Sequence, residues 1–109
     1  MKRISILTAI LLTLTGSAFA QQKLNVVTTT QDLASLTREV GGDRVDVTAI
    51  AKGYQDPHFV ESKPSFLLLL RKADLLEVVG LELEVGWLPP LLAQSRNNNI
   101  RPGGPGYLD

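Results

Sequence analysis

The sequence contains no cysteine and a single histidine, His58. Without thiols the chain can form no disulfide, no cysteine-bound metal site and no cysteine nucleophile. With one imidazole it can form no site built from several histidines. No serine and histidine arrangement is recognisable either, so we predict no catalytic residue. Any chemistry that requires an imidazole must therefore involve His58.

An excess of charge of one sign is also missing, because 11 basic residues face 11 acidic ones. A balanced chain without a basic cluster is a poor partner for nucleic acid, and we predict none. The glycine-rich G-x-G-x-x-G turn of dinucleotide-binding folds does not follow the first predicted strand, so no cofactor-binding residue is assigned.

The first twenty residues have the pattern of a cleavable signal peptide. Lys2 and Arg3 precede an apolar run over residues 4–14 that is too short to span a bilayer, and Ala18 and Ala20 form an A-x-A cleavage signal. A buried first helix of a cytosolic domain is the alternative. A signal peptide predicts a soluble periplasmic product, and Gln21 stands where a lipid anchor would need cysteine.

Residues 21–109 alternate between strand and helix patterns. We predict strands over residues 23–29, 44–51 and 75–80, and helices after Thr30, from Pro64 and from about Pro89. The order favours an α/β fold in which three βα units form a parallel sheet flanked by helices. No closing element is predicted before Asp109. The loops that follow the first two strands should lie on one rim, where parallel sheets bind ligands.

Two helical patterns indicate which side chains share a face. Phe66, Leu69, Leu70 and Ala73 recur at the spacing of a core-facing stripe. In the first helix, Leu33, Leu36 and Val40 also fall at helical spacing.

His58 lies in the rim loop after the second strand, in the motif D-P-H-x-x-E. A neutral imidazole is the commonest metal-binding side chain, and it binds best when a carboxylate or carbonyl holds its other ring nitrogen. Asp56 and Glu61 are close enough in sequence to serve in that way. The alternative is a loop histidine that only caps or hydrogen-bonds. One imidazole is in any case an incomplete zinc site, since zinc takes three or four protein ligands.

Two other polar clusters could bind a ligand, but a structural role is favoured for each. The threonines from Thr28 to Thr30 could bind an anion at a helix start, but ordinary capping is favoured. Glu82 and Glu84 with Trp87 suggest an acid pair beside a ring. We predict instead a solvated turn for the glutamates and a core position for the tryptophan.

The ordered stretches "LNVVTTTQDLASLTREVGGDRVDV" and "DPHFVESKPSFLLLLRKADLLEVVGLELEVGWLPPLL" resemble the N-terminal part of the metal-binding solute-binding proteins of bacterial ABC importers, of the zinc and manganese type. The resemblance implies two α/β lobes that hold a divalent metal between them and deliver it to a membrane permease without catalysis. It implies that His58 is the first ligand and that the other ligands come from later chain. Residues 21–109 are then an incomplete N-terminal lobe, and the chain is a fragment.

Two other classes of function stay open at this point. A small exported enzyme could use His58 as a general base oriented by Asp56, and a surface adhesion or structural module would need neither residue.

Overall fold

A computed structural model describes residues 21–109, which form a four-stranded parallel sheet flanked by helices. The signal-peptide prediction for residues 1–20 lies outside the described residues. The strands are β1 (Leu24–Thr28), β2 (Val45–Ala49), β3 (Leu75–Glu77) and β4 (Tyr107–Leu108). They lie in the order β2-β1-β3-β4. β2 therefore lies on one side of β1, and β3 and β4 lie on the other.

Three α-helices connect or follow these strands: α1 (Gln31–Gly41), α2 (Pro64–Lys72) and α3 (Leu88–Ser95). Short 3-10 helices occupy Gly42–Arg44 and Asn98–Ile100. Helix α1 begins where the Thr30 side chain accepts a hydrogen bond from the Leu33 N–H, and α2 begins at Pro64, whose missing N–H costs nothing at a first helical position. The predicted α/β class and the strand and helix order are confirmed.

The fourth strand was not predicted, and the expectation of a sheet with three strands and no closing element is wrong. After a glycine-rich turn, the Leu76 N–H donates to the Gly106 carbonyl at 2.7 Å and the Val78 N–H donates to the Leu108 carbonyl at 2.8 Å. A side chain at Gly106 would collide with the Asp74 carbonyl, so glycine allows this approach. Two residues are too few to show a periodic pattern. β3 is also shorter than predicted and ends at Glu77.

The hydrophobic core lies where β1 and β3 meet helices α2 and α3. Val26 and Val27 are both buried although successive side chains of a strand point to opposite faces, as expected for a strand covered on both sides. The predicted stripe of α2 is confirmed, because Leu70 and Ala73 are buried and Phe66 packs against the core. The remaining members of the core include Ile50, Val60, Leu76, Val78, Trp87, Leu88, Leu91, Leu92 and Ile100.

Helix α1 contacts β1 and β2 through a narrower face than its sequence suggests. Ala34 is buried and Leu33 and Thr37 are half-buried, whereas Leu36 is 64% exposed and Val40 is 90% exposed. Helical spacing places Leu36 and Val40 on one side of the helix, but no other described element covers that side.

Candidate functional site

The loops that leave β1, β2 and β3 are joined at one rim of the sheet. The Ile50 N–H donates to the Thr28 carbonyl at 2.9 Å, and the Ala51 N–H donates to the Thr29 carbonyl at 3.0 Å. On the other side of β1, the Thr29 N–H donates to the Glu77 carbonyl at 3.0 Å. This is the carboxyl end of the parallel strands, where ligands of α/β sheets gather.

His58 projects from this rim into solvent, with a side chain that is 58% exposed. Its ring atom Nδ1 lies 2.8 Å from Oδ1 of Asp56, and the same oxygen accepts the backbone N–H of His58 at 3.0 Å. When Nδ1 carries the proton shared with a carboxylate, Nε2 keeps its lone pair for a metal ion or a proton. The structure thus brings together two of the three residues that the sequence singled out.

The backbone N–H and then the ring of His58 lower the pKa of the Asp56 carboxyl below its usual value of 3.8. Asp56 therefore stays ionised at neutral pH and can hold the Nδ1 proton. Both groups are exposed, so this pair orients the imidazole without being a strong source of stability.

Glu61 is exposed, and within residues 21–109 no hydrogen bond or ion pair joins it to His58. Its proposed part in holding the imidazole stays a prediction. Across the same described residues, no three side chains of histidine, aspartate or glutamate converge in a way that could hold a metal ion. The chain thus presents one imidazole with one carboxylate beside it.

The loop that carries His58 is attached to the body of the fold by Trp87. Trp87 is 5% exposed, and its Nε1–H donates to the Pro57 carbonyl at 2.8 Å. Val60, just after the loop, is buried in the core. The predicted core position of Trp87 is confirmed. Its bond to Pro57 spans 30 residues of sequence and has no local signal.

Glu84 does not lie in a solvated turn, so that prediction is wrong. Its side chain is 3% exposed and accepts three hydrogen bonds: from the Thr29 hydroxyl at 2.6 Å, from the Val79 N–H at 2.8 Å and from the Gly80 N–H at 3.1 Å. Gly80, Leu81 and Glu82 have left-handed φ angles of 79°, 52° and 69°, which turn the chain back so that Glu84 enters the rim. Glu82 stays exposed, as predicted.

Two members of the threonine run, Thr28 and Thr30, bond to the backbone. Thr30 caps α1, and the Thr28 hydroxyl donates to the Thr30 carbonyl at 2.8 Å. Both threonines thus stabilise the turn from β1 into α1, and the capping interpretation is confirmed.

A recess of about 680 Å³ lies beside β4 and is lined mainly by apolar side chains, among them Val78, Leu88 and Leu92. His58 is not among its lining residues. Burial, with Asp109 and Glu84 nearby, raises the pKa of Tyr107 at its edge. The recess offers no imidazole, so the exposed pair at the rim remains the candidate site.

The architecture and the rim can be compared with known proteins. The family model described as "Zinc-uptake complex component A periplasmic" (ZnuA) matches residues 26–103. The chain belongs to this family.

Within residues 21–109, no helix combines the length and the apolar character needed to cross a membrane.

Among curated relatives, a manganese ABC transporter substrate-binding lipoprotein, PsaA of Streptococcus pneumoniae, is 38% identical over 72 residues, or 66% of this chain and 23% of that protein. The manganese ABC transporter substrate-binding lipoprotein scaA of Streptococcus gordonii is 36% identical over 84 residues, or 72% of this chain and 27% of its own length. A crystal structure of ZnuA superposes with a TM-score of 0.62 at 30% identity, covering 67% of this chain and 29% of that one. The chain thus spans about a quarter of these relatives.

Proposed function

We propose that the chain is the N-terminal part of the substrate-binding component of an ABC importer for a divalent metal ion, zinc or manganese. In this proposal His58 supplies one nitrogen ligand to the transported ion. The observation that carries the proposal is the exposed imidazole at the sheet rim, whose Nδ1 is tied to Asp56 while Nε2 faces no other described partner.

The chemistry of this pair suits a transported cation. The ionised Asp56 keeps the proton on Nδ1 and makes Nε2 a better electron donor, as a carboxylate does behind many metal-bound histidines. Imidazole binds zinc well and accepts other divalent ions. The remaining donors would come from the parts of such proteins that this chain does not span. Residues 21–109 are then an incomplete N-terminal lobe, with Glu61 a second candidate for orienting the ligand.

The same proposal covers location and partners. A signal peptide over residues 1–20 would direct the product to the periplasm, where it would pass its ion to an inner-membrane permease. No reaction is catalysed in such a role. The family description, which names a periplasmic component, supports the location, and the transporter names of the relatives support the permease partner.

The test is a chimaera in which this chain replaces the aligned segment of the pneumococcal PsaA, titrated with Zn²⁺ and with Mn²⁺ by calorimetry. We expect stoichiometric binding that His58→Ala weakens by more than about tenfold, since a ligand matters at least as much as the groups that orient it. Tyr54→Ala is the control, because that exposed ring lies in the same loop and makes no hydrogen bond to His58. A chimaera whose affinity does not depend on His58 would disprove the ligand role.

The pair of Asp56 and His58 also has the form that a general base requires. The His58→Ala variant separates the two functions. A binding protein loses metal affinity and no turnover, whereas a small exported enzyme that uses His58 as a general base loses turnover of its substrate with metal affinity unchanged.

A further inference from the structure

We propose that Trp87 is a positioning residue for His58: its indole N–H holds the peptide unit that carries the imidazole. The inference rests on the proposed ligand role and goes beyond it, because the indole N–H of Trp87 binds the Pro57 carbonyl and not the imidazole. It assigns to Trp87, and to Glu84 whose carbonyl accepts the Trp87 backbone N–H, a role in orienting the His58 side chain.

The loop that carries His58 has few other polar attachments, although Val60 at its end is buried in the core. Its internal bonds are local, such as the Phe59 N–H to the Asp56 carbonyl at 3.0 Å and the Gln55 N–H to the Lys52 carbonyl at 2.8 Å. Among the described residues, the hydrogen bond that joins residues 55–60 to another element comes from Trp87. Bonds between neighbours shape a loop but do not orient it relative to the sheet.

Both ends of one peptide unit are held. The carbonyl of Pro57 accepts the Trp87 Nε1–H at 2.8 Å, and the N–H of His58 donates to Asp56 at 3.0 Å. Because a peptide unit is planar, hydrogen bonds at its oxygen and its nitrogen together restrict rotation of the whole unit. The orientation of this unit fixes the N–Cα bond of His58, about which its side chain is then placed. Asp56 then sets the rotation of the ring.

Trp87 can serve as a fixed point because its own turn is anchored to the sheet. Its backbone N–H donates to the Glu84 carbonyl at 3.2 Å, and the Glu84 carboxylate binds the Thr29 hydroxyl at the end of β1. A continuous set of contacts thus runs from the end of β1, through Glu84 and Trp87, to Pro57. The indole is almost fully buried, so solvent competes little for its N–H.

The chain offers one tryptophan and one histidine, so its indole N–H and imidazole NMR signals are unambiguous. In the intact chain we expect the Trp87 indole proton to be protected from exchange with D₂O. We expect the ring ¹⁵N shifts of His58 at a pH where the ring is neutral to report the tautomer with the proton on Nδ1. An indole proton that exchanges as fast as in the unfolded chain overturns the inference, and this measurement needs no variant.

The variant test compares Trp87→Phe, which keeps an aromatic ring and removes the donor, with Leu91→Ala, a core truncation in α3 that leaves the indole N–H in place. We expect Trp87→Phe to abolish the exchange protection of the Phe59 amide and to shift the His58 tautomer toward the Nε2–H form of free histidine. Leu91→Ala should change neither, although it lowers stability. Equal behaviour of the two variants, or an unchanged tautomer in Trp87→Phe, overturns the inference.

In the PsaA chimaera, Trp87→Phe should weaken Zn²⁺ binding by about tenfold, the usual effect of losing a group that orients a ligand. An affinity equal to that of the parent chimaera counts against the inference. If the parent chimaera does not bind through His58 at all, the proposed function fails, and the exchange and tautomer measurements still decide whether Trp87 positions the loop.

Discussion

The buried carboxylate of Glu84 provides a sharp test of how the rim is built. Replacing Glu84 with glutamine keeps the size and shape of the side chain but removes one acceptor and the charge. In its best orientation the amide oxygen can still accept from Thr29 and Val79, but its NH₂ group then faces the Gly80 N–H, donor against donor. The substitution thus isolates hydrogen bonding from packing.

The expected cost follows from these contacts. A hydrogen bond to a charged group contributes about 1.5 to 3 kcal/mol, and one such bond is lost while two become neutral and weaker. We therefore expect Glu84→Gln to lower the free energy of unfolding by about 2 to 4 kcal/mol, which is a large part of the ~5 to 15 kcal/mol that native domains possess. For a domain of this size, each lost kcal/mol lowers the melting temperature by about 4 to 8 °C.

Glu82→Gln is the matched control, because it makes the same chemical change two residues away on an exposed side chain. It should alter stability by no more than about 0.5 kcal/mol. Urea and thermal unfolding followed by circular dichroism measure both variants. Equal stabilities for Glu84→Gln and Glu82→Gln would refute the claim that the buried carboxylate holds the turn.

Four further predictions concern the backbone, the core, the loop and the metal. Leu81 is 98% exposed with a left-handed φ of 52°. Leu81→Asn should therefore stabilise the chain by about 0.5 to 1 kcal/mol and Leu81→Val should destabilise it, since asparagine tolerates this backbone conformation and a β-branched residue does not. The reverse order of stabilities in urea unfolding would contradict backbone strain at Leu81. Leu70→Ala, at a side chain with 0% exposure, should cost about 2 to 5 kcal/mol, and Leu68→Ala, at 56% exposure, less than about 0.5; similar midpoints would count against the assigned core. The carboxyl ¹³C signal of Asp56 should titrate below the usual pKa of 3.8, because hydrogen bonds from the backbone N–H and the ring of His58 lower the pKa. These bonds contribute fully above the usual pKa, and their contribution is lost as the pH falls through the lowered one. A midpoint at or above 3.8 would contradict this lowering. Zn²⁺ should leave the melting temperature of the chain unchanged, since one imidazole is a fraction of the coordination that zinc takes; a stoichiometric stabilisation abolished by His58→Ala would show that the chain holds a complete site.

Local patterns in the sequence determined the order and type of the main elements. Thr30, Pro64 and the α2 stripe act through neighbours within about four residues, so capping and periodicity reveal them without knowledge of the fold. The alternation of strands and helices also placed the His58 loop on the carboxyl rim of a parallel sheet. The short separation of Asp56 and His58 made their contact predictable for the same reason.

Only the tertiary structure decided what happens between distant residues. The bond from Thr29 to Glu84 spans 55 residues and that from Trp87 to Pro57 spans 30, so neither leaves a pattern in any short window. Strand β4 exists because Gly106 lets two backbones approach, not because its two residues have a strand pattern. Helical spacing shows which residues share a face, but whether that face is covered depends on elements far away in sequence, and Val40 remains in solvent.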